Sequence, residues 1–241
     1  MFLTLAALLA SHPASAIVGG REAPDAPEAR SAVMVLTSNG GMCTGVVVAR
    51  DAVLTAGHCV EGVAKNLVHF LDEAGKTALV ETAARTVHPG YDADAIRGRT
   101  RSIDLALIRT RDPLPARFAL ASLSAAMPSG GQDLRFGGFG ASRANDRKSL
   151  GRFRLAGLPV VEPYGPSRIL VWLQSAKDKP KVGGCNGDSG GPISDGSGVV
   201  ALAAWVKGSC GGLTQGILLG PQRAWIDRTL GAWGAAARWT P

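Results

Sequence analysis

At 241 residues, 46% of them hydrophobic, the chain can bury a substantial core and suits one large all-β unit or two small domains. Lys and Arg number 26 against 19 Asp and Glu, a net charge of +7. That charge could attract polyanions, but the basic residues are scattered, and their densest run, Arg97-Gly98-Arg99-Thr100-Arg101, reads as a solvated loop. An aromatic content of 5% argues against a stacking platform for nucleic acid.

The chain opens with MFLTLAALLASHPASA. Its apolar stretch is too short to span a bilayer and ends in Ala14-Ser15-Ala16, a small-x-small cleavage pattern, although no Lys or Arg follows Met1. Residues 1–16 therefore read as a secretory signal peptide, and the protein is expected to be secreted, extracellular or periplasmic. Strand-like runs follow at 32–37, 44–49, 52–56, 67–71 and 103–109, punctuated by turns. Residues 113–130 lose this alternation and read as a connector between a first half, 17–112, and a second half, 131–220. Strand signals resume at 133–136, 153–161, 169–173, 192–194, 199–206 and 216–219. Pro221 suits a helix start and Gly231 a helix stop, so 221–231 reads as one short helix, leaving 232–241 as a tail without a period.

Cys43, Cys59, Cys185 and Cys210 are an even set in an exported chain, which points to two disulfides, with three pairings open. There is no CxxC, and only His58, His69 and His88 remain beyond the leader, so no metal or cofactor is expected.

Three segments carry chemistry. Ser189 stands in Gly187-Asp188-Ser189-Gly190-Gly191-Pro192. A serine hydroxyl is a weak nucleophile until a base takes its proton, and glycines permit a backbone that gathers N–H donors around a developing oxyanion. His58 stands in Thr55-Ala56-Gly57-His58-Cys59, after an apolar strand; a neutral imidazole is the usual general base near neutral pH. Asp104 opens Asp104-Leu105-Ala106-Leu107-Ile108, where a buried carboxylate needs a partner. Taken singly, each could be a turn or a packed residue.

Together, TAGHC, DLALI and GDSGGP resemble the three signature segments of the chymotrypsin/trypsin-type serine endopeptidases. The resemblance runs from Ile17 to about Leu230. It implies an all-β fold of two six-stranded antiparallel Greek-key barrels with a short C-terminal helix. It further implies Ser189 as nucleophile, His58 as base, Asp104 as the group that orients His58, and the N–H groups of Gly187 and Ser189 as the oxyanion hole. Ile17-Val18-Gly19-Gly20 resembles the family's activated N-terminus, whose amine would pair with Asp188; cleavage after Ala16 would produce it directly. The family's bridges imply Cys43–Cys59 and Cys185–Cys210.

The same resemblance places Gly183, six residues before the nucleophile, at the base of the primary pocket. No acid stands there to select Lys or Arg. Val206 and Gly216 fall on the pocket walls, and Val206 should narrow the entrance as in elastase-like members, favouring Ala or Val at P1, with Leu, Met and Phe left open by the glycines. Departures from the pattern are Ala204, where a serine usually supports the triad aspartate, and Phe139, where tryptophan is usual. Protein or peptide substrates and protein inhibitors are the expected partners, with no nucleic acid, no membrane and a monomeric state. The alternative is a catalytically silent homologue that acts as a binding protein.

Overall fold

The structure is a computed structural model and describes residues 17–98 and 100–240. The expected signal peptide, 1–16, lies outside the described residues. Two short elements, β1 (Arg21–Glu22) and α1 (Pro27–Arg30), lead into β2 (Ala32–Thr37), β3 (Met42–Ala49), β4 (Ala52–Thr55), β5 (Asn66–Leu71) and β6 (Thr77–Val87). After α2 (Ala95–Gly98) comes β7 (Ala106–Thr110), and β2 to β7 close into a barrel in the order β2-β3-β4-β7-β6-β5.

The connector carries β8 (Ser122–Leu123). The second half then builds β9 (Asp133–Gly138), β10 (Arg154–Val161), β11 (Leu170–Leu173), β12 (Pro192–Ser194), β13 (Val199–Lys207) and β14 (Leu213–Leu218). These pair antiparallel as β12-β9-β10-β11-β14-β13, and the β12–β13 ladder closes the ring. Helix α3 (Arg223–Ala232) and β15 (Arg238–Trp239) end the described chain. The all-β expectation of two six-stranded antiparallel barrels and a short C-terminal helix is met.

The valine-rich runs have a physical reason: their strands are buried on both faces. In β3, Val47 points into the first barrel while Val46 and Val48 point to the seam between the barrels. In β7, Ala106 and Ile108 face the barrel interior, and Leu107 faces the seam. The seam also takes Leu202 and Ile217 of the second barrel and Trp225, Ile226 and Leu230 of α3. Each such aliphatic side chain contributes about 1.5–3 kcal/mol relative to exposure, so the barrels are held together by one shared core.

Several elements differ from the sequence expectation, β6, β7, β14 and β15 among them. β6 was not anticipated: its side chains are partly or fully exposed throughout, so it lacks an apolar face. β7 starts at Ala106, because residues 103–105 turn inward, with Ile103 N–H bonded to the Gly90 carbonyl and Leu105 N–H to that of Ile103. β14 starts at Leu213, where its ladder with Lys207 begins. The tail adds β15, which pairs in parallel with β8 and fixes Trp239 Nε1–H on Asp227 at 2.8 Å.

Candidate active site

His58 lies in a 3-10 turn, Gly57–Cys59, directly after β4. Asp104 lies just before β7, a strand that pairs with β4. The ladder therefore brings together two residues far apart in sequence. Asp104 Oδ2 meets His58 Nδ1 at 2.7 Å, and Asp104 Oδ1 accepts the His58 backbone N–H at 2.8 Å. This bidentate grip sets the ring's orientation and commits Nδ1 as donor, leaving Nε2 as the basic atom. Burial opposes protonation of His58, but the Asp104 hydrogen bond and charge outweigh it, and the net pKa is raised above 6.5.

Tyr91 closes the other side of Asp104. Its ring lies 3.2 Å from where a Cβ on Gly57 would stand, and burial followed by the Asp104 charge pushes its hydroxyl pKa up to about 12. Ala204 lines the same cleft and offers Asp104 no hydroxyl. Among the described residues, both hydrogen bonds to Asp104 come from His58.

Ser189 comes from the loop between β11 and β12 and shares with His58 and Asp104 a cleft of ≈ 1220 Å³. Among the described residues no hydrogen bond joins Ser189 to His58, which is common in sites without substrate. The loop turns through left-handed backbone at Gly187 (φ 96°) and Gly190 (φ 79°). A Cβ on Gly190 would stand 2.2 Å from the Thr44 carbonyl, so only glycine fits there. The Gly187 and Ser189 N–H groups donate to no protein acceptor among the described residues.

Asp188 turns away from the cleft into the protein. Its Oδ1 accepts Gly140 N–H at 2.8 Å and its Oδ2 accepts Cys185 N–H at 2.9 Å. Burial pushes its pKa up to about 7, against the lowering effect of those two N–H groups and of the Arg154 charge. Ile17 is fully buried in the second barrel's core beside Phe136. Two residues beyond Phe136, Gly138 packs directly on Asp188. In the full chain the Ile17 nitrogen is an amide, and among the described residues it makes no ion pair with Asp188.

The four cysteines form Cys43–Cys59, which ties β3 to the histidine turn, and Cys185–Cys210, which ties the Ser189 loop to the segment after β13. Cys43, His58 and Cys59 also bring three ligand-type atoms together, but both sulfurs are committed to a disulfide, which does not suit a metal.

The pocket walls differ from the sequence expectation. Gly216 does not line the cleft: its bare Cα faces the second barrel's interior, against Ile193 and Val171. Gly183 also sits behind the wall, bridged to Val18, with its Cα against Thr214 Oγ1 and the Gly212 carbonyl. Thr214, itself buried, and Gln215 border the cleft instead, together with Val206. Val206 and Thr214 are direct partners in the β13–β14 ladder, so the two β-branched side chains share one face. Thr214 Oγ1 accepts Gly184 N–H at 3.0 Å, and Val206 Cγ2 lies 2.9 Å from where a Cβ on Gly184 would be. The resemblance points to Gly216, whereas Thr214, the ladder partner of Val206, borders the cleft.

Two barrels with the His58–Asp104 pair and Ser189 in one shared cleft describe a chymotrypsin-fold serine hydrolase. A family profile described as Trypsin matches residues 17–225, and the chain belongs to that family of serine proteases. Among curated proteins it is 25% identical to snake venom serine protease rhinocerase 4 of Bitis rhinoceros, over 86% of this chain and 84% of that one. It is 28% identical to granzyme M of Rattus norvegicus, over 90% of each chain. Among solved structures, neuropsin, a serine protease of mouse brain, superposes with a TM-score of 0.71 at 22% identity, covering 88% of this chain and 99% of that one. Human heparin binding protein does so with a TM-score of 0.72 at 22% identity, covering 89% and 97%. At these identities the structural matches speak to fold alone. Among the described residues no helix is long and apolar enough to cross a membrane.

Proposed function

We propose that this protein is an exported serine endopeptidase that cleaves peptide bonds through an acyl-enzyme, after small or medium aliphatic P1 residues. Ser189 is the nucleophile. His58 Nε2 takes its proton and later returns it to the leaving amine, while Asp104 holds the ring and stabilises the imidazolium. The Gly187 and Ser189 N–H groups receive the oxyanion. The observation that carries this reading is the His58–Asp104 pair at 2.7 Å, opening on the cleft that holds Ser189. Two unoccupied backbone donors beside Ser189 support it further.

The P1 assignment is supported by the Val206–Thr214 pair beside the cleft, whose β-branched side chains take up space that an aromatic P1 ring would need. The active chain begins at Ile17, whose freed amine pairs with the carboxylate of Asp188. A buried carboxylate held by only two backbone N–H groups and the field of Arg154 gains from such a cation.

The test is labelling of the chain beginning at Ile17 with a fluorophosphonate, alongside Ser189→Ala, followed by a peptide library varied at P1. Labelling in the wild type but not in the variant, with cleavage after Ala or Val, is expected. Cleavage mainly after Phe overturns the P1 reading alone. A folded wild type that neither labels nor cleaves leaves a binding protein on a peptidase fold.

A further inference from the structure

The nucleophile loop is braced from the opposite barrel by one buried hydroxyl. Thr44, on β3 of the first barrel, is fully buried. Its Oγ1–H donates to the Gly187 carbonyl at 2.9 Å, across 143 residues of sequence, and the same oxygen accepts Phe139 N–H at 3.1 Å. Its backbone N–H donates to the Ser189 carbonyl at 2.8 Å. Behind it, Thr55 Oγ1–H donates to the Thr44 carbonyl at 2.7 Å. The polar groups of Thr44 are thus all engaged, its hydroxyl and its N–H across the junction between the two halves.

What these bonds hold is the arrangement of successive peptide planes. The Gly187 N–H belongs to the plane between Asn186 and Gly187, and the Ser189 N–H to the plane between Asp188 and Ser189. The plane between them carries the Gly187 carbonyl and the Asp188 N–H, and the latter is bonded to the Cys185 carbonyl at 3.1 Å. If this middle plane rotates, the two flanking N–H groups no longer converge. Glycine at 187 offers little resistance to that rotation. The Thr44 hydroxyl fixes the carbonyl end of the middle plane, and the Thr44 N–H fixes the carbonyl just after the second donor.

Resting on the proposed peptidase reading, we propose that Thr44 is a positioning residue for the oxyanion hole: its hydroxyl locks the Gly187–Asp188 peptide so that the Gly187 and Ser189 N–H groups point at one spot. It touches neither substrate nor the reacting atoms. Its effect belongs to the transition state, because the oxyanion forms only there.

The experiment compares Thr44→Val, Thr44→Ala and Thr44→Ser in the chain beginning at Ile17, with competent sites titrated to completion by a fluorophosphonate. kcat and KM are read on one peptide, and affinity is read for a peptide aldehyde, whose adduct places an oxyanion in the hole. Val and Ala should lower kcat per titrated site by about tenfold or more, a fraction of what losing a donor outright costs. KM should stay within about twofold, with aldehyde affinity falling in step with kcat. Ser, which keeps the hydroxyl, should recover most of the loss.

Unchanged kcat per site in the hydroxyl-free variants overturns the proposal, even if their melting temperatures fall. So does a loss confined to KM, or a Ser variant as poor as Val. Failure of both Val and Ala to fold assigns Thr44 to stability alone and also overturns it. A folded wild type with no labelling overturns the peptidase reading itself, which is a distinguishable result.

Discussion

The chemistry turns on a few atoms whose charge states have a direction. In the proposed mechanism His58 must be neutral to accept the Ser189 proton, and its pKa is raised above 6.5 because Asp104 outweighs burial. The acid limb of kcat/KM should therefore rise through an apparent pKa above 6.5. Replacing Asp104 by Asn removes the raising influence and the correct tautomer together, and kcat should fall by about 10⁴-fold. A pH–rate profile of both chains checks this; an acid limb centred below the ordinary histidine value would contradict the assignment. The proposed P1 preference also rests on single side chains. Val206→Gly removes half of the β-branched pair over Gly184, so the ratio of kcat/KM for Phe over Ala at P1 should rise by about tenfold or more. An unchanged ratio would place the limiting wall elsewhere.

At the scale of elements, the site is a set of loops held by ladders and bridges. The β4–β7 ladder sets the distance between the His58 turn and Asp104. The β13–β14 ladder sets Val206 opposite Thr214. The Cys185–Cys210 bridge closes a separation of 25 residues across the pocket, worth about 3 kcal/mol in the chain-entropy view. Changing both cysteines to serine should lower stability by roughly that amount. It should also relax P1 discrimination, because the bridge joins the nucleophile loop to the pocket rim. Denaturant melts and the P1 library read the two effects separately. β15 shows how an element without periodicity can still be ordered. Its strand is two residues long, held by β8, by Trp239 on Asp227 and by Arg223 over the Trp239 ring at 5.0 Å.

At the scale of the whole molecule, the proposed Ile17–Asp188 pairing would couple the N-terminus to the Ser189 loop. Ile17 has φ 44°, a left-handed value that a β-branched residue adopts only under strain of about 1–3 kcal/mol. That torsion exists only while a residue precedes Ile17, so cleavage there removes it. In an uncleaved chain burial pushes the Asp188 carboxyl from 3.8 up to about 7. Its protonated form is the one the fold prefers, so the stability it contributes is present below the unfolded value and is lost as pH rises through about 7. A chain retaining residues before Ile17 should thus melt lower at pH 8 than at pH 5, by the part of this contribution not already lost between 3.8 and 5. A chain beginning at Ile17 should instead lose stability only as its amine deprotonates, above about pH 8. Calorimetry of both forms across that range separates them, and identical pH dependence would count against the Ile17–Asp188 pairing.

The sequence alone carried what is local. Alternation and turn residues marked most strands, because a side chain's face follows from its parity along the backbone. The segments around His58, Asp104 and Ser189 were legible because each packs chemistry and conformation into five or six neighbouring residues. The resemblance also named the cysteine pairs, which composition had left open among three. Tertiary structure decided what depends on register and on contacts across the seam between barrels. It made a strand of the half-exposed run at β6. It brought Thr214 rather than Gly216 to the cleft: the two share one face of β14, and Thr214 lies nearer the strand end, beside Gly184. It also set the Thr44 hydroxyl on the Gly187 carbonyl, a contact spanning 143 residues that no spacing encodes. Such contacts arise only when two closed barrels meet and their buried polar groups must find partners in each other.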